Sequence, residues 1–292
     1  MDFVLENDYL KVTVTSKGVQ VASVLRKIDG VEHMWQADPA VWGYHAPILF
    51  PHTGKVVNDT IRAKGRDCVS KQHGFARTRE HSLVAQEGSR LVLELVSDEQ
   101  TLESFPYACR LVSTFTLEED KLHHTLTVEN RDEDALPFGI GYHPAFRVPF
   151  DDAHTATDYE LRFSDMESPL CINNQPKGLM HGNFYYLGTN IDSLPVCPEL
   201  FANDSHCMTN LVSKTLGIYE KDTGRAVVCD IRDFPYTLIW SKPGDVKFVC
   251  IEPWHSLPSP ENGSTDWLKK PAAAILAPGE SWSTTLTTQF KR

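Results

Sequence analysis

The sequence predicts an all-β protein built from antiparallel strands, and two observations support this prediction. Apolar and polar residues largely alternate over short segments such as residues 91–95 and 121–128. This period of two is typical of a half-buried strand. Turn signals such as Asp-Thr-Gly (222–224) and Pro-Gly-Asp (243–245) recur between the segments. Many short strands with frequent turns favour a sandwich or barrel.

Further strands of the same kind are predicted along the whole chain, at residues 9–14, 110–117, 159–163, 226–230, 237–240, 247–251 and 283–289. A long amphipathic helical pattern and a low-complexity linker are both absent from the sequence. We therefore expect one domain over residues 1–292, although this length also allows two. Residues 257–265 are rich in Pro, Ser and Gly and are predicted to form a loop within that domain.

Composition narrows the possible partners. The formal net charge of -11 is spread over 292 residues, and an acidic surface repels phosphate backbones, so we expect no nucleic-acid partner. The amino-terminal segment carries acids and no apolar h-region, and no stretch approaches the ~20 apolar residues of a membrane span. We therefore expect no membrane association.

The cysteines indicate a reducing compartment. The chain has 7 cysteines, an odd number, widely scattered, with no C-x-x-C pair and no Cys/His spacing typical of zinc. Reduced thiols in a cytoplasmic protein explain this pattern. The sequence accordingly predicts a cytoplasmic location and no metal.

Three segments break the alternation of core and surface residues, and the first is residues 72–77 (Gln-His-Gly-Phe-Ala-Arg). The glycine gives His73 a permissive backbone neighbour, and an aromatic ring and the cation of Arg77 follow. Taken alone, this segment is explained better by a turn with a hydrogen-bonded histidine than by a binding site.

The second segment is residues 137–146. In a strand, Gly139, Gly141 and His143 share one face, while the bulky residues at 138, 140 and 142 share the other. The bulky face is predicted to pack in the core. The glycines would leave space for a ligand beside His143, or they would form a bulge beside a packed histidine.

The third segment, residues 246–255, is an apolar strand that runs into Glu252 and a proline. Alternation places Glu252 on the same face as Phe248 and Cys250. Burial raises the pKa of a carboxyl group, and a raised pKa suits a general base that works near neutral pH. The alternative is a glutamate at a strand end that caps a turn.

Four motifs occur in order along the chain: Pro-Ile-Leu-Phe-Pro-x-x-Gly (47–54), His-Gly-Phe-Ala-Arg (73–77), Gly-Tyr-His-Pro-Ala-Phe (141–146) and Cys-Ile-Glu-Pro-Trp (250–254). Together they resemble the aldose 1-epimerase (mutarotase) family, in particular its LacX-like branch. The resemblance spans nearly the whole chain. It implies the galactose-mutarotase-like β-supersandwich, an antiparallel fold whose concave face holds a sugar.

The resemblance also implies residue roles. The family's catalytic base falls on Glu252, its acid on His143 and its additional active-site histidine on His73. Arg77, in the same motif as His73, would orient hydroxyls. For ring opening in these roles, His143 starts protonated and Glu252 ionised. We expect the two side chains on opposite sides of one pocket.

Two further binding residues are matched to the family with weaker motifs. Asp204 fits the family's sugar-binding aspartate by order and spacing. Lys55 follows the glycine of the first motif, where many relatives have Arg. Lysine keeps the charge and loses the bidentate fork of a guanidinium.

The implied activity is the interconversion of the α and β anomers of a free aldohexose, which requires one base and one acid and no cofactor. The expected partner is a small sugar, and the chain is expected as a monomer or homodimer. Three alternatives remain open: a non-catalytic sugar-binding protein, a hexose-6-phosphate 1-epimerase with a basic pocket, and a glycoside hydrolase or lyase. A hydrolase would normally place two carboxylates beside the scissile bond.

Overall fold

The computed structural model describes residues 1–175 and 178–292. Within them, the strands far outnumber the helices, and the ladders that join the named strands are antiparallel. The described residues contain one short α-helix, α1 (Glu99–Ser104), and the remaining helical segments are single 3₁₀ turns at Val57–Asp59, Ala76–Thr78, Ala156–Asp158, Pro198–Phe201 and Trp267–Lys269. The predicted all-β class is confirmed.

The strands of the first half of the chain are β1 (Asp2–Glu6), β2 (Leu10–Thr15), β3 (Val21–Arg26), β4 (Val31–Glu32), β5 (Ile48–Leu49), β6 (Thr60–Ala63), β7 (Arg66–Val69), β8 (Ser82–Glu87), β9 (Arg90–Val96), β10 (Cys109–Glu118), β11 (Lys121–Asn130), β12 (Leu136–Phe138), β13 (Gly141–Tyr142) and β14 (Ala145–Arg147). Those of the second half are β15 (Tyr159–Glu167), β16 (Leu170–Ile172), β17 (Phe184–Tyr186), β18 (Ile191–Pro195), β19 (His206–Thr209), β20 (Thr215–Glu220), β21 (Ala226–Asp230), β22 (Tyr236–Trp240), β23 (Phe248–Trp254), β24 (Ala274–Leu276) and β25 (Ser281–Lys291).

Two large sheets organise these strands. The first is nine-stranded, in the order β18-β15-β20-β21-β25-β11-β10-β9-β8. The second has the order β17-β16-β19-β22-β23-β13-β5, and β14 also pairs with β23. Smaller sheets are formed by β1–β4, by β12 with β24 and by β6 with β7.

The main hydrophobic core draws residues from both large sheets. Val249 and Ile251 of β23 belong to the same buried cluster as Leu126 of β11 and Phe290 of β25. Phe248 and Cys250 belong to a different cluster, because successive side chains of a strand point to opposite faces. Strand β23 therefore has one face in the core between the sheets and one face that is free to build a site. Among the described residues, no helix is long and apolar enough to cross a membrane.

Candidate active site

One cavity of about 370 Å³ lies on the face of β23 that points away from the main core. Its volume falls in the range of small-molecule sites. The six residues predicted from the sequence all line it: Lys55, His73, Arg77, His143, Asp204 and Glu252. Other lining residues include Trp42, Gln72, Gln175, Ser205, Trp240 and Trp254. The structure thus brings together residues from five separate parts of the chain, and their roles stay predictions.

Strand register places His143 directly opposite Glu252. Gly141 pairs with Trp254, and Ala145 pairs with Cys250, so the residue midway between them faces Glu252 across the ladder. His143 Nε2 lies 3.4 Å from Glu252 Oε2. The prediction that the two side chains stand on opposite sides of the pocket is wrong: they are cross-strand neighbours on one wall.

The glycines before His143 do not leave space for a ligand. A Cβ at Gly141 would lie 2.5 Å from Cδ1 of Trp254, and one at Gly139 would lie 2.2 Å from Oγ of Ser256. The missing side chains therefore let Trp254 and Ser256 pack against this strand. The residues at 138, 140 and 142 are buried in the core, as predicted.

Burial sets the protonation of Glu252 and His143. Burial, reinforced by the nearby Asp204, holds the pKa of Glu252 well above its ordinary value. Burial, reinforced by the Arg77 charge, lowers the pKa of His143 to about 3. The two side chains therefore favour a protonated carboxyl and a neutral imidazole, the reverse of the starting state expected from the sequence.

Aromatic rings hold the imidazole of His143 in place. Trp42 stacks on it with 5.0 Å between ring centroids and an interplanar angle of 22°. Trp240 meets it edge-on at 5.6 Å, and so does His73 at 5.6 Å. Trp42 is not among the residues predicted from the sequence, because it lies between strands in a segment with no periodic pattern. A tryptophan in a loop beside the first motif was the available signal.

The hydrogen bonds of His73 define its tautomer. The backbone N–H of Gly54 donates to His73 Nδ1 at 3.0 Å, so the proton of the neutral ring is on Nε2. Burial, reinforced by the neighbouring His143 and Arg77, holds the pKa of His73 well below its ordinary value. The residue also has a left-handed backbone, with φ of 68°. His73 is therefore a fixed, uncharged N–H donor in the cavity wall. The side-chain amide of Gln72 lies 3.2 Å from Nε2 of His73, and only the amide oxygen can accept from this N–H.

Arg77 brings positive charge into this wall. Its guanidinium lies 5.1 Å from the ring centroid of Tyr44, and its buried Nε has no hydrogen-bond partner. No carboxylate among residues 1–175 and 178–292 forms an ion pair with it. An unpaired cation and an unused donor are suited to binding an electron-rich oxygen of a ligand.

Asp204 reaches the cavity from the loop that follows the 3₁₀ turn at Pro198–Phe201. Its backbone is left-handed, with φ of 76°, an uncommon conformation for a residue other than glycine. Burial raises its pKa, while the side chains of Trp240 and Gln175 and the charge of Lys55 act in the opposite direction. The weakest of the motif matches thus has a defined place in the cavity, near enough to Glu252 to affect its pKa.

The fold also assembles a potential metal-ligand set that sequence spacing does not show. His143, Cys250 and Glu252 offer ligand atoms within 4.8 Å of one another. Burial raises the pKa of the Cys250 thiol and that of the Glu252 carboxyl, so both ligands favour protonated forms that bind metal poorly. The prediction of a metal-free site stays a prediction.

Solved structures with the same architecture place the fold in a known class. The chain superimposes with a TM-score of 0.95 on a galactose mutarotase related enzyme from Lactobacillus acidophilus, at 26% identity over 100% of this chain and 98% of that one. A galactose mutarotase-like protein from Lactobacillus casei gives a TM-score of 0.92 at 27% identity, covering 99% of both chains. The fold is therefore the galactose-mutarotase-like β-supersandwich.

Sequence comparison identifies the family. The aldose 1-epimerase family model matches residues 1–289. The chain is also 31% identical over 266 residues to the chromosomal LacX protein of Lactococcus lactis subsp. lactis, over 88% of each chain. The protein belongs to the aldose 1-epimerase family.

Proposed function

We propose that the protein is an aldose 1-epimerase that interconverts the α and β anomers of a free aldohexose, with Glu252 and His143 as its acid–base pair. The observation that carries this proposal is the 3.4 Å contact between the two side chains in the wall of the cavity. Anomers differ only at C1, so their interconversion needs one proton removed from the C1 hydroxyl and one delivered to the ring oxygen. A single pair of groups performs both transfers.

In the proposed mechanism, the proton held by Glu252 first passes to His143 across their contact. The carboxylate then takes the proton of the C1 hydroxyl while the imidazolium gives its proton to the ring oxygen. The bond between C1 and the ring oxygen breaks, and C1 becomes an aldehyde. After rotation about C1–C2, the same two transfers run in reverse and close the ring on its other face. Each proton-transfer partner typically contributes ~10²–10⁴ in rate.

The other cavity residues position the sugar in this proposal. The Nε2 proton of His73 and the guanidinium of Arg77 donate to oxygens and stabilise the negative charge that develops on the ring oxygen. Asp204 and Lys55 bind the remaining hydroxyls as acceptor and donor. Trp42 keeps the imidazole of His143 in the plane from which it reaches the ring oxygen.

Polarimetry on freshly dissolved α-glucose and α-galactose tests the proposal. Purified protein should bring the optical rotation to equilibrium faster than buffer, in proportion to protein concentration. The non-catalytic alternative expects sugar binding, detectable by calorimetry, with no acceleration above buffer. Dialysis against a chelator should leave the rate unchanged, and a rate restored only by added divalent metal would contradict a metal-free mechanism.

A hexose 6-phosphate is the second candidate substrate, and the unpaired cation of Arg77, which lines the same cavity as Lys55, favours it. A phosphate would bind the guanidinium in bidentate fashion. Polarimetry with α-glucose 6-phosphate distinguishes the two substrates. For a phosphorylated sugar, kcat/KM should exceed that for glucose and should fall with added salt.

A further inference from the structure

A second cavity of about 700 Å³ adjoins the candidate active site and is not used by the proposed reaction. The two cavities share three wall residues: Gln175, Asp204 and Ser205. The rest of the second wall includes Asn173, Tyr185, Asn203 and His206. The amides, hydroxyls and carboxylate of this wall can bind neighbouring hydroxyl groups of a ligand, and the aromatic ring can pack against an apolar face of that ligand. This combination fits a polar, ring-shaped ligand.

Tyr185 is fixed in this cavity before any ligand arrives. It lies on β17 at the edge of the sheet, and its hydroxyl is 2.8 Å from Nδ1 of His206. The other ring nitrogen of His206 lies 2.6 Å from the carbonyl oxygen of Leu200. A carbonyl only accepts, so Nε2 carries the proton and Nδ1 accepts from the tyrosine. Tyr185 as a whole residue is 37% exposed and lines the cavity, so it offers an aromatic surface to a ligand.

Asp204 forms the partition between the two cavities. Asp204 lines both cavities, together with Trp240 in the first and Gln175 in both, and these two side chains oppose the rise of its pKa on burial. Its left-handed backbone, with φ of 76°, is of the kind found where surrounding structure holds a functional geometry. One ligand that spans the partition would therefore contact Asp204 from both sides.

We propose that the second cavity binds the second sugar residue of a reducing disaccharide whose reducing-end hexose occupies the candidate active site. The free anomeric hydroxyl must face Glu252 and His143, so the second residue is joined through a hydroxyl other than that on C1. Tyr185 packs against the C–H face of this residue. Asn173 and Asn203 bind its hydroxyls. The orientation of the disaccharide rests on the proposed function, whereas its binding in the second cavity does not.

The test compares glucose with the disaccharides maltose, cellobiose and isomaltose, which differ in the linkage to the reducing glucose. Calorimetry measures affinity, and polarimetry measures kcat and KM. At least one disaccharide should bind roughly tenfold or more tightly than glucose, the change expected from one added aromatic contact and its hydrogen bonds. Tyr185→Ala should remove this advantage and leave mutarotation of glucose unchanged.

Two variants control for indirect effects. Tyr186→Ala removes a neighbouring aromatic residue of the same strand that is 65% exposed and, by alternation, points to the opposite face. This variant should change neither the affinity for the disaccharide nor the mutarotation of glucose. Tyr185→Phe keeps the ring and loses the hydrogen bond to His206, and should retain most of the preference for the disaccharide.

The outcomes separate this proposal from the proposed function. Disaccharides that bind no more tightly than glucose, or whose affinity is insensitive to Tyr185→Ala, would overturn the second subsite while leaving glucose epimerisation intact. Tyr185-dependent binding of a disaccharide without acceleration of any anomer exchange would sustain the subsite and overturn the enzymatic function.

Discussion

Glu252 and His143 meet at 3.4 Å in a wall where each side chain is almost fully buried. Burial disfavours the charged form of either group alone, so the pair retains one proton over a wide range of pH. Such coupled groups titrate as a unit, with apparent pKa values that belong to the pair. The proton can lie on the carboxyl, which the two pKa shifts favour, or on the imidazole, as in the proposed mechanism.

The pH dependence of the rate follows from this single shared proton. Below the pKa of His143, about 3, the pair gains a second proton, and above the raised pKa of Glu252 it loses the last one. The mutarotation rate should therefore be nearly constant between these two pKa values, with no change at pH 4.5, the ordinary pKa of a glutamate, once corrected for buffer catalysis. Polarimetry across this range checks it. If the mutarotation rate instead fell tenfold per pH unit above pH 6.5, His143 would have an ordinary histidine pKa and would be protonated independently of Glu252.

Glu252→Gln removes the proton acceptor and retains the size of the side chain. The rate constant should fall by ~10²–10⁴, as expected for loss of a general base, while sugar affinity measured by calorimetry changes much less. This combination marks an interaction used in the transition state. His143→Asn should behave similarly, and the double variant should lose less than the product of the two.

A buried glutamate elsewhere provides the matched control. Glu167 is 4% exposed and accepts backbone hydrogen bonds from Val212 and Ser213, away from the cavity. Glu167→Gln should retain the catalytic rate of the unmodified protein. Near-full activity in Glu252→Gln would mean that the base lies elsewhere.

At the scale of elements, the ladder between β13, β14 and β23 determines which side chains meet. A slip by one residue would turn His143 to the other face of the sheet. Gly141 keeps this ladder closely packed, since its Cβ position is occupied by the indole of Trp254. The site therefore depends on backbone packing as much as on the chemical groups themselves.

Gly141→Ala tests that dependence. The added methyl group must displace Trp254, which should cost about 1–3 kcal/mol of stability, as overpacking typically does. The displaced indole should also raise KM, because Trp254 lines the cavity. Urea unfolding and polarimetry measure the two effects. Gly43→Ala is the control, because its Cβ would come no nearer than 3.9 Å to Pro39; equal behaviour of the two variants would contradict the packing argument.

At the scale of the whole molecule, buried histidines make the protein sensitive to acid. Six histidines among the described residues are buried: His33, His52, His73, His81, His124 and His143. Burial lowers the pKa of each below 6.5. As pH falls below 6.5, the unfolded chain binds protons that the folded chain does not, so stability decreases.

The expected loss is about 1 kcal/mol per histidine between pH 6.5 and pH 5.5, or several kcal/mol in all. This loss is a large part of the free energy of unfolding, which is typically about 5–15 kcal/mol for folded proteins. Urea unfolding at the two pH values measures it. His52→Gln removes one buried imidazole that does not line the cavity and should reduce the pH dependence of stability by about one proton. A midpoint of urea unfolding that is the same at pH 6.5 and pH 5.5 would contradict this prediction.

Much of the sheet structure could be predicted, because long strands have a clear period of two. Strands β10, β11, β21 and β25 lie where alternation predicted them, within two residues at each end. Strand β20 was missed, since Gly217 interrupts its pattern. The one-domain organisation of residues 1–292 and the choice between monomer and homodimer stay predictions.

The candidate site was predicted only in part, for a physical reason. Ordered motifs were enough to find His73, His143 and Glu252, because each lies in a segment with its own unusual residues. The closeness of His143 and Glu252 depends on register, and register is a property of paired strands rather than of either strand alone. The second cavity has no motif at all, because loops and a sheet edge that are distant in sequence form its walls.

The tryptophans of the first cavity give the protein a built-in optical reporter. Three of the 6 tryptophans, Trp42, Trp240 and Trp254, line that cavity, and Trp42 stacks directly on the imidazole of His143. Intrinsic fluorescence should therefore respond to occupancy of the site and to transfer of the shared proton, each of which changes the surroundings of these indoles. Removing the signal of Trp42 by substitution with Phe would assign the response to the imidazole, so that binding and proton movement can be followed in the unlabelled protein during turnover.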